Sequence, residues 1–224
     1  MKQEEIEELL LHQLRQHWLS VDATIIHSAI PNALQSTING FNTLKEFKKC
    51  ETCGADIPIS PYISRQWMIF LYRLSHEIFK SSGILTPKEA DQIYYLNKIL
   101  HSNDWFYAID LPTHFLCEHP LGSVLGRAKY GDYFFVYQGT TVGGNRKNGC
   151  LYYPVIGENV ILFANSTVLG NTYIGNNVVV SANTYIINEN IPDNCIVFGR
   201  SPNLVVISRS EKEIKQYTQH IWGW

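Results

Sequence analysis

Two stretches of this chain hold side chains of types that could do chemistry. The first is Glu118-His119, followed by Pro120-Leu121-Gly122. An imidazole titrates near neutrality, so a His can take up and return a proton under ordinary conditions. A carboxylate beside it suits a cationic amine and helps the ring keep imidazolium character. The second stretch is Gly143-Gly144-Asn145-Arg146-Lys147-Asn148-Gly149-Cys150-Leu151-Tyr152-Tyr153-Pro154, which is Gly-rich and polar. Its Arg146-Lys147 pair could help hold a small anionic ligand. Cys50-x-x-Cys53 lacks the second pair that a four-ligand zinc site needs, so it reads as two ordinary thiols, and no metal is expected.

The elements that must position these residues belong to a chain of 224 residues, one ordinary domain or two small ones. At 45% hydrophobic and 17% charged it can build a core and is not composed like a disordered chain. A net charge of −2 argues against a basic nucleic-acid binder. No apolar run reaches membrane-spanning length; Trp67 to Tyr72 stops at Arg73. The N-terminal Met1-Lys2-Gln3-Glu4-Glu5 is acidic where a signal peptide would be basic, so a cytoplasmic chain with reduced thiols is expected, with no membrane partner.

The first half reads helical. Ile6, Leu10, Leu14 and Trp18 recur every four residues beside Leu9. A second helix is expected over about 65–80, ended by Ser81-Ser82-Gly83. Gly40 and Gly54 sit in turn-like contexts. Thr86-Pro87-Lys88-Glu89 has the form of an N-cap, a first-turn Pro and a capping-box Glu, with Ile93, Leu96, Ile99 and Leu100 as the buried stripe.

After about Leu111 the texture changes. Between Asn148 and Asn188 the only charged residue is Glu158. Ile156, Leu162, Val168, Ile174, Val180 and Ile186 recur every six positions, and Val124, Tyr130, Val136 and Val142 repeat the spacing upstream. Asn159, Asn165, Asn171, Asn177 and Asn183 sit halfway between, also six apart. A period of six fits neither a helix face nor an alternating strand. It fits a triangular coil of short strands with one apolar side chain per side pointing inward. Asn suits the corners because it tolerates left-handed backbone angles, and small Ser166, Thr172 and Thr184 limit crowding there. About four coils are expected between Val124 and Ile196. The spacing breaks between Val142 and Ile156, so the Gly-rich segment reads as a loop pushed out of one corner, where function tends to sit.

The stretch Glu118-His119-Pro120-Leu121-Gly122-Ser123-Val124-Leu125-Gly126 and then Tyr137-Gln138-Gly139-Thr140-Thr141-Val142-Gly143-Gly144 resembles the serine acetyltransferases among the hexapeptide-repeat acyltransferases. The likeness continues through Pro154-Val155-Ile156-Gly157-Glu158-Asn159-Val160 and Val168-Leu169-Gly170-Asn171 to Phe198-Gly199-Arg200-Ser201-Pro202, and Leu71-Tyr72-Arg73-Leu74-Ser75-His76 matches more weakly. The resemblance implies an α+β chain: a helical N-terminal domain (1–110), a left-handed parallel β-helix with the extruded loop (111–207) and a tail (208–224) that has a helical look over Glu211 to Gln219. It also implies a homotrimer, or a dimer of trimers, with active sites between subunits.

By the same resemblance His119 is the general base of an acetyl-CoA-dependent O-acetyltransferase, and Glu118 beside it helps hold an acceptor amine. Asp56 lies near a second amine-binding position. Asp110 resembles the residue that orients the base but stands one hexad out of register. Gly143, Gly144, Ala164, Ser181 and Ala182 match positions that meet the pantetheine arm, and Arg146, Lys147 and Arg200 could meet CoA phosphates. Tyr152-Tyr153 replaces the Arg-His pair expected to hold serine's carboxylate, and Arg200-Ser201-Pro202-Asn203 displaces another cation. L-Serine is the leading acceptor, with a sugar or other small alcohol as the alternative. A non-catalytic assembly module is a third reading, although the last residues, Gln219 to Trp224, lack the terminal Ile through which the family docks its partner enzyme. A carbonic-anhydrase-like coil would need three His ligands, and only His114 and His119 are nearby.

Overall fold

The computed structural model describes residues 2–41, 59–83 and 87–223. Cys50, Cys53, Gly54, Asp56 and Thr86 lie outside the described residues. The chain divides into two compact units, residues 1–102 with 106–108 and residues 103–105 with 109–224.

The first unit is helical: α1 (Gln3–Arg15), α2 (Ala23–Phe41), α3 (Ser64–Ser81) and α4 (Lys88–His101). α1 buries the expected Ile6, Leu10 and Leu14, but ends before Trp18, which is half-buried. α2 was not legible: Gly40, which reads as a turn, is buried inside it, and Pro31 lies within it as well. Asp22 starts that helix by accepting the N–H groups of Thr24 (2.9 Å) and Ile25 (3.4 Å). Burial of Ile26, Ala29, Ile30, Ala33 and Leu34 then outweighs the poor helix formers. α3 is buried almost all round, from Gln66 to Ser75. At α4 the expected start shifts. Pro87 stands at the N-cap with extended backbone, and the helix opens at Lys88. Glu89 is buried and its carboxylate accepts the Asp22 N–H at 3.0 Å. Ile93 and Leu96 are buried as expected, whereas Ile99 and Leu100 are 46% and 43% exposed. Asn97 donates to the Met68 carbonyl and shares a 2.8 Å hydrogen bond with buried His101. Burial lowers the His101 pKa to about 4.

The second unit is a parallel β-solenoid of about five turns. The first turn holds β1 (Asp104–Trp105) and β2 (Phe115–Cys117), the second β3 (Val124–Leu125), β4 (Lys129–Tyr130) and β5 (Phe134–Val136). The third holds β6 (Thr141–Gly143), the extruded β7 (Asn145–Lys147) and β8 (Cys150–Tyr152), then β9 (Val155–Ile156) and β10 (Val160–Leu162). The fourth holds β11 (Thr167–Leu169), β12 (Tyr173–Ile174) and β13 (Val178–Val180). The fifth holds β14 (Tyr185–Ile187), β15 (Asn190–Ile191) and β16 (Cys195–Arg200), and antiparallel β17 (Asn203–Ser208) follows. The extra turn beyond the four expected is the first, whose strands carry no phased Asn.

Three faces result: β1-β3-β6-β11-β14, β4-β9-β12-β15 and β2-β5-β10-β13-β16. Inward side chains stack in register, as in Tyr130–Ile156–Ile174–Ile191 and Val136–Leu162–Val180–Val197. On the first face the inward residue below Val142 is Leu125, fully buried; Val124, expected there, is 37% exposed. The corner after β3 is one residue shorter than a hexad allows, which shifts that side by one. Asn159, Asn165, Asn177 and Asn183 do take left-handed angles, φ 52–60°. Asn171 does not; at its corner Gly170 does, φ 72°. The corner amides link successive coils: Asn159 Nδ2 donates to Asn177 Oδ1, and Asn177 Nδ2 to Asn194 Oδ1, each at 2.9 Å. Helix α5 (Glu211–Trp222), capped by Ser210, includes the expected Glu211 to Gln219 and packs Trp222 edge-on against Tyr133 and Phe135.

Candidate active site

Glu118 and His119 form the corner that follows β2. The Glu118 N–H donates to the Val136 carbonyl of the next coil at 3.0 Å, so the corner is tied to the coil above it. His119 takes a left-handed backbone, φ 47°, uncommon for a residue with a Cβ. This turn is braced from within. The Ser123 hydroxyl donates to the Pro120 carbonyl at 2.6 Å and accepts the Trp105 Nε1–H at 2.8 Å, with Ser123 and Trp105 both buried. The imidazole therefore stands out from a rigid edge, its side chain 76% exposed, with Nε2 at 3.8 Å from Glu118 Oε1. Such a ring can take a proton from a bound hydroxyl, while the carboxylate offers charge to an amine. Sequence reasoning missed the brace, because nothing in the residue types of Trp105 and Ser123 links positions 18 apart.

The same corner repeats up the solenoid. Tyr137 N–H donates to the Leu162 carbonyl, Phe163 N–H to Val180 and Ser181 N–H to Val197, at 2.9–3.0 Å. Glu118, Tyr137, Phe163 and Ser181 thus stack along one edge. The Asn165 N–H donates to the Gln138 carbonyl and the Asn183 N–H to Ala164, at 2.8 and 2.9 Å, which sets Ala164 and Ala182 at this edge too. The structure therefore brings His119, Glu118, Ala164, Ser181 and Ala182 to a single edge. Tyr137 stacks on Phe163 with ring centres 5.0 Å apart. Burial, then Glu118 and Tyr217, raise its phenol pKa and keep it protonated.

Gly143, Gly144, Arg146, Lys147, Tyr152 and Tyr153 stand at the far end of the first face. The extruded segment is a β-hairpin, with Arg146 opposite Leu151 and Asn148-Gly149 at its tip in left-handed angles, φ 51° and 81°. Asn-Gly is the residue pair such a two-residue turn favours, a signal the loop reading passed over. Arg146 and Lys147 are exposed, and Tyr152 and Tyr153 are 38% and 36% exposed. A Cβ on Gly144 would stand 2.9 Å from the Tyr153 ring, so this glycine lets the hairpin fold against its own base. About five residues of strand, roughly 15 Å, separate this edge from the His119 edge. Arg200 lies on the first face through its pairing with Tyr185, its guanidinium 4.3 Å from the Tyr185 ring centre. Asp110 is exposed. His114 is held elsewhere: Asp132 accepts its N–H at 2.9 Å and meets its Nδ1 at 2.7 Å. Burial alone would raise the Asp132 pKa, but these contacts with His114 bring it below the usual value.

Comparison with known proteins agrees with the solenoid fold. The family model of the bacterial transferase hexapeptide (six repeats) matches residues 153–188. A serine acetyltransferase of Synechococcus elongatus is 30% identical over 129 residues, 57% of this chain and 51% of that protein. The chain spans about half the length of the curated relatives it matches. A serine acetyltransferase of Neisseria gonorrhoeae solved in complex with serine superposes with a TM-score of 0.62 at 21% identity, over 83% of this chain and 74% of that one. A serine acetyltransferase solved in complex with CoA gives 0.64 at 17% identity, over 83% and 75%. Among the described residues no helix is long and apolar enough to cross a membrane. The chain is serine acetyltransferase-like in the sequence of its coils, and it has the fold of the solved serine acetyltransferases.

Proposed function

We propose that the protein is an acetyl-CoA-dependent O-acetyltransferase acting on the hydroxyl of a small acceptor, L-serine first. The observation that carries this is the exposed His119 on a braced corner, 3.8 Å from Glu118, at the foot of an edge that continues through Ala164, Ser181 and Ala182. Acetyl-CoA supplies an activated acyl thioester. The small residues of that edge allow close approach of its thin arm, and Gly143 and Gly144 with Arg146 and Lys147 stand at the opposite edge of the same face. Arg146, Lys147 and Arg200 would meet its phosphates. Because the two edges lie a face apart in one chain, the reading includes a homotrimer, with two trimers paired into a hexamer as the alternative, in which one subunit's His119 edge faces another's hairpin.

Neutral His119 takes the acceptor's hydroxyl proton as that oxygen attacks the thioester carbonyl carbon. The new C–O bond forms, the C–S bond breaks, and the imidazolium returns the proton to the departing sulfur. Glu118 holds the acceptor's ammonium. By the resemblance Tyr152 and Tyr153 replace an Arg-His pair, and carboxylate binding by two phenol donors is weaker than by a guanidinium.

The test is thiol release from acetyl-CoA with L-serine, related amino acids and hydroxyl sugars, for wild type and His119→Ala. Serine-dependent release lost in the variant supports the reading. Release with a sugar alone keeps the transfer chemistry and moves the acceptor. No release with any acceptor, and no acetyl-CoA binding by calorimetry, overturns the enzyme and leaves a non-catalytic assembly module.

A further inference from the structure

The edge that carries His119 has a second half that the residue types alone did not mark. Above Glu118 come Tyr137 and Phe163, ring on ring at 5.0 Å and 13° from parallel. Phe135 lies against Tyr137, centres 5.1 Å apart. The final helix α5 then adds a third ring. Tyr217 meets Phe163 edge-on at 6.3 Å and remains 47% exposed. Glu118 and Tyr217 both act on the charge state of Tyr137, so carboxylate, phenol and helix residue share one electrostatic neighbourhood. α5 is anchored independently of this ring: Ile214, Thr218, Ile221 and Trp222 are buried, and Trp222 packs on Tyr133 and Phe135. Tyr217 is therefore presented by a fixed helix and is not needed to hold it.

An anionic oxygen flanked by aromatic faces recognises a cation, since the carboxylate supplies charge and the ring quadrupoles supply a second attraction. Tyr137 stays neutral there and can donate a hydrogen bond without adding negative charge. We propose that Tyr137, Phe163 and the α5 residue Tyr217 line the acceptor subsite with Glu118, and that this wall selects acceptors bearing an ammonium group next to the reacting hydroxyl. The inference deepens the acetyltransferase reading and rests on it for the identity of the site. Tyr217 is a specificity-determining residue, contributed by a segment outside the repeat.

Two measurements separate failure of this inference from failure of the activity. The first is steady-state kinetics of wild type, Tyr217→Ala and Tyr217→Phe with L-serine, ethanolamine and a neutral hydroxyl sugar as acceptors. Loss of the ring raises the KM for L-serine and ethanolamine about 5- to 20-fold. The KM for acetyl-CoA and the kcat stay within about twofold, and Tyr217→Phe stays near wild type. An unchanged acceptor KM, an equal rise in acetyl-CoA KM, or a wild type that prefers the sugar overturns the wall. The second is calorimetric titration of the same proteins with L-serine and ethanolamine alone. Binding weakened in Tyr217→Ala and kept in Tyr217→Phe supports the subsite even where no turnover is seen. Titrations that give the same affinity for wild type and Tyr217→Ala, or no binding to wild type, overturn it whatever the kinetics show.

Discussion

Glu118 Oε1 stands 3.8 Å from His119 Nε2, on a corner where His119 itself takes a left-handed backbone. Side-chain chemistry and backbone strain meet at one residue, and substitutions can separate them. Asn tolerates φ near 47°, so His119→Asn keeps the urea midpoint while removing the base. Thiol release then falls about 10²- to 10⁴-fold. His119→Val loses the same activity and a further ~1–2 kcal/mol of stability, because a β-branched residue resists this backbone. A His119→Asn enzyme with wild-type turnover would remove the base from the mechanism.

The corner amides make a second prediction. Asn177 accepts from Asn159 and donates to Asn194, and its φ is 55°. Asn177→Gly keeps the backbone and loses only the linking hydrogen bonds, at about 1 kcal/mol. Asn177→Val adds the left-handed penalty, for a total of roughly 2–3 kcal/mol. Chemical denaturation of the two variants reads the difference. Equal losses would mean that the backbone angle contributes nothing at this corner.

Gly157 tests how closely the coils approach. A Cβ there would lie 2.6 Å from Asn176 Oδ1 and 2.8 Å from the Gly175 carbonyl carbon. The neighbour is backbone and cannot turn aside, so Gly157→Ala should cost about 2–4 kcal/mol. Gly149→Ala, at the open hairpin tip where nothing lies within 4 Å, should cost only its left-handed strain. Thermal melts ranking Gly149→Ala below Gly157→Ala in stability would refute the close-approach explanation.

His101 gives the helical unit an acid dependence. Burial depresses its pKa from 6.5 to about 4, so the fold prefers the neutral ring. The unfolded chain takes up the proton first, at about 6.5. Stability is therefore full above that value and falls as pH drops toward 4, by up to about 3 kcal/mol. Urea midpoints measured between pH 7 and pH 4 should show this loss in wild type. His101→Gln should be less stable at pH 7 and flatter across the same range; a parallel slope in both proteins would assign the acid sensitivity to other groups.

Much of the solenoid was legible because its pattern is local. Ile156, Leu162, Val168, Ile174, Val180 and Ile186 each face inward for the same reason, one apolar side chain per side of a triangle, and a repeat of identical physical demands leaves a repeat in the residues. α1 showed itself through one buried stripe, and α3 through a mostly apolar run that is buried almost all round. Where local signals conflict with packing, the reading failed. Pro31 and Gly40 argue against a helix, yet both lie in α2, because the burial of its apolar face decides the matter. Val124 and Leu125 are equally apolar, and only the length of the next corner places Leu125 inside.

The site divides in the same way. Glu118-His119 and the Gly-rich hairpin are contiguous in the chain, so their residue types and spacing were enough to mark them. The brace from Trp105 through Ser123 to the Pro120 carbonyl, and the ring column of Tyr137, Phe163 and Tyr217, join positions far apart in sequence. Tertiary structure alone decided those, because coil stacking sets which side chains share an edge, and the packing of α5 on Phe135 sets where Tyr217 comes to rest. Sequence determined which groups could do chemistry; the closure of the coils determined which of them meet, since a contact across turns depends on register and not on neighbouring residues.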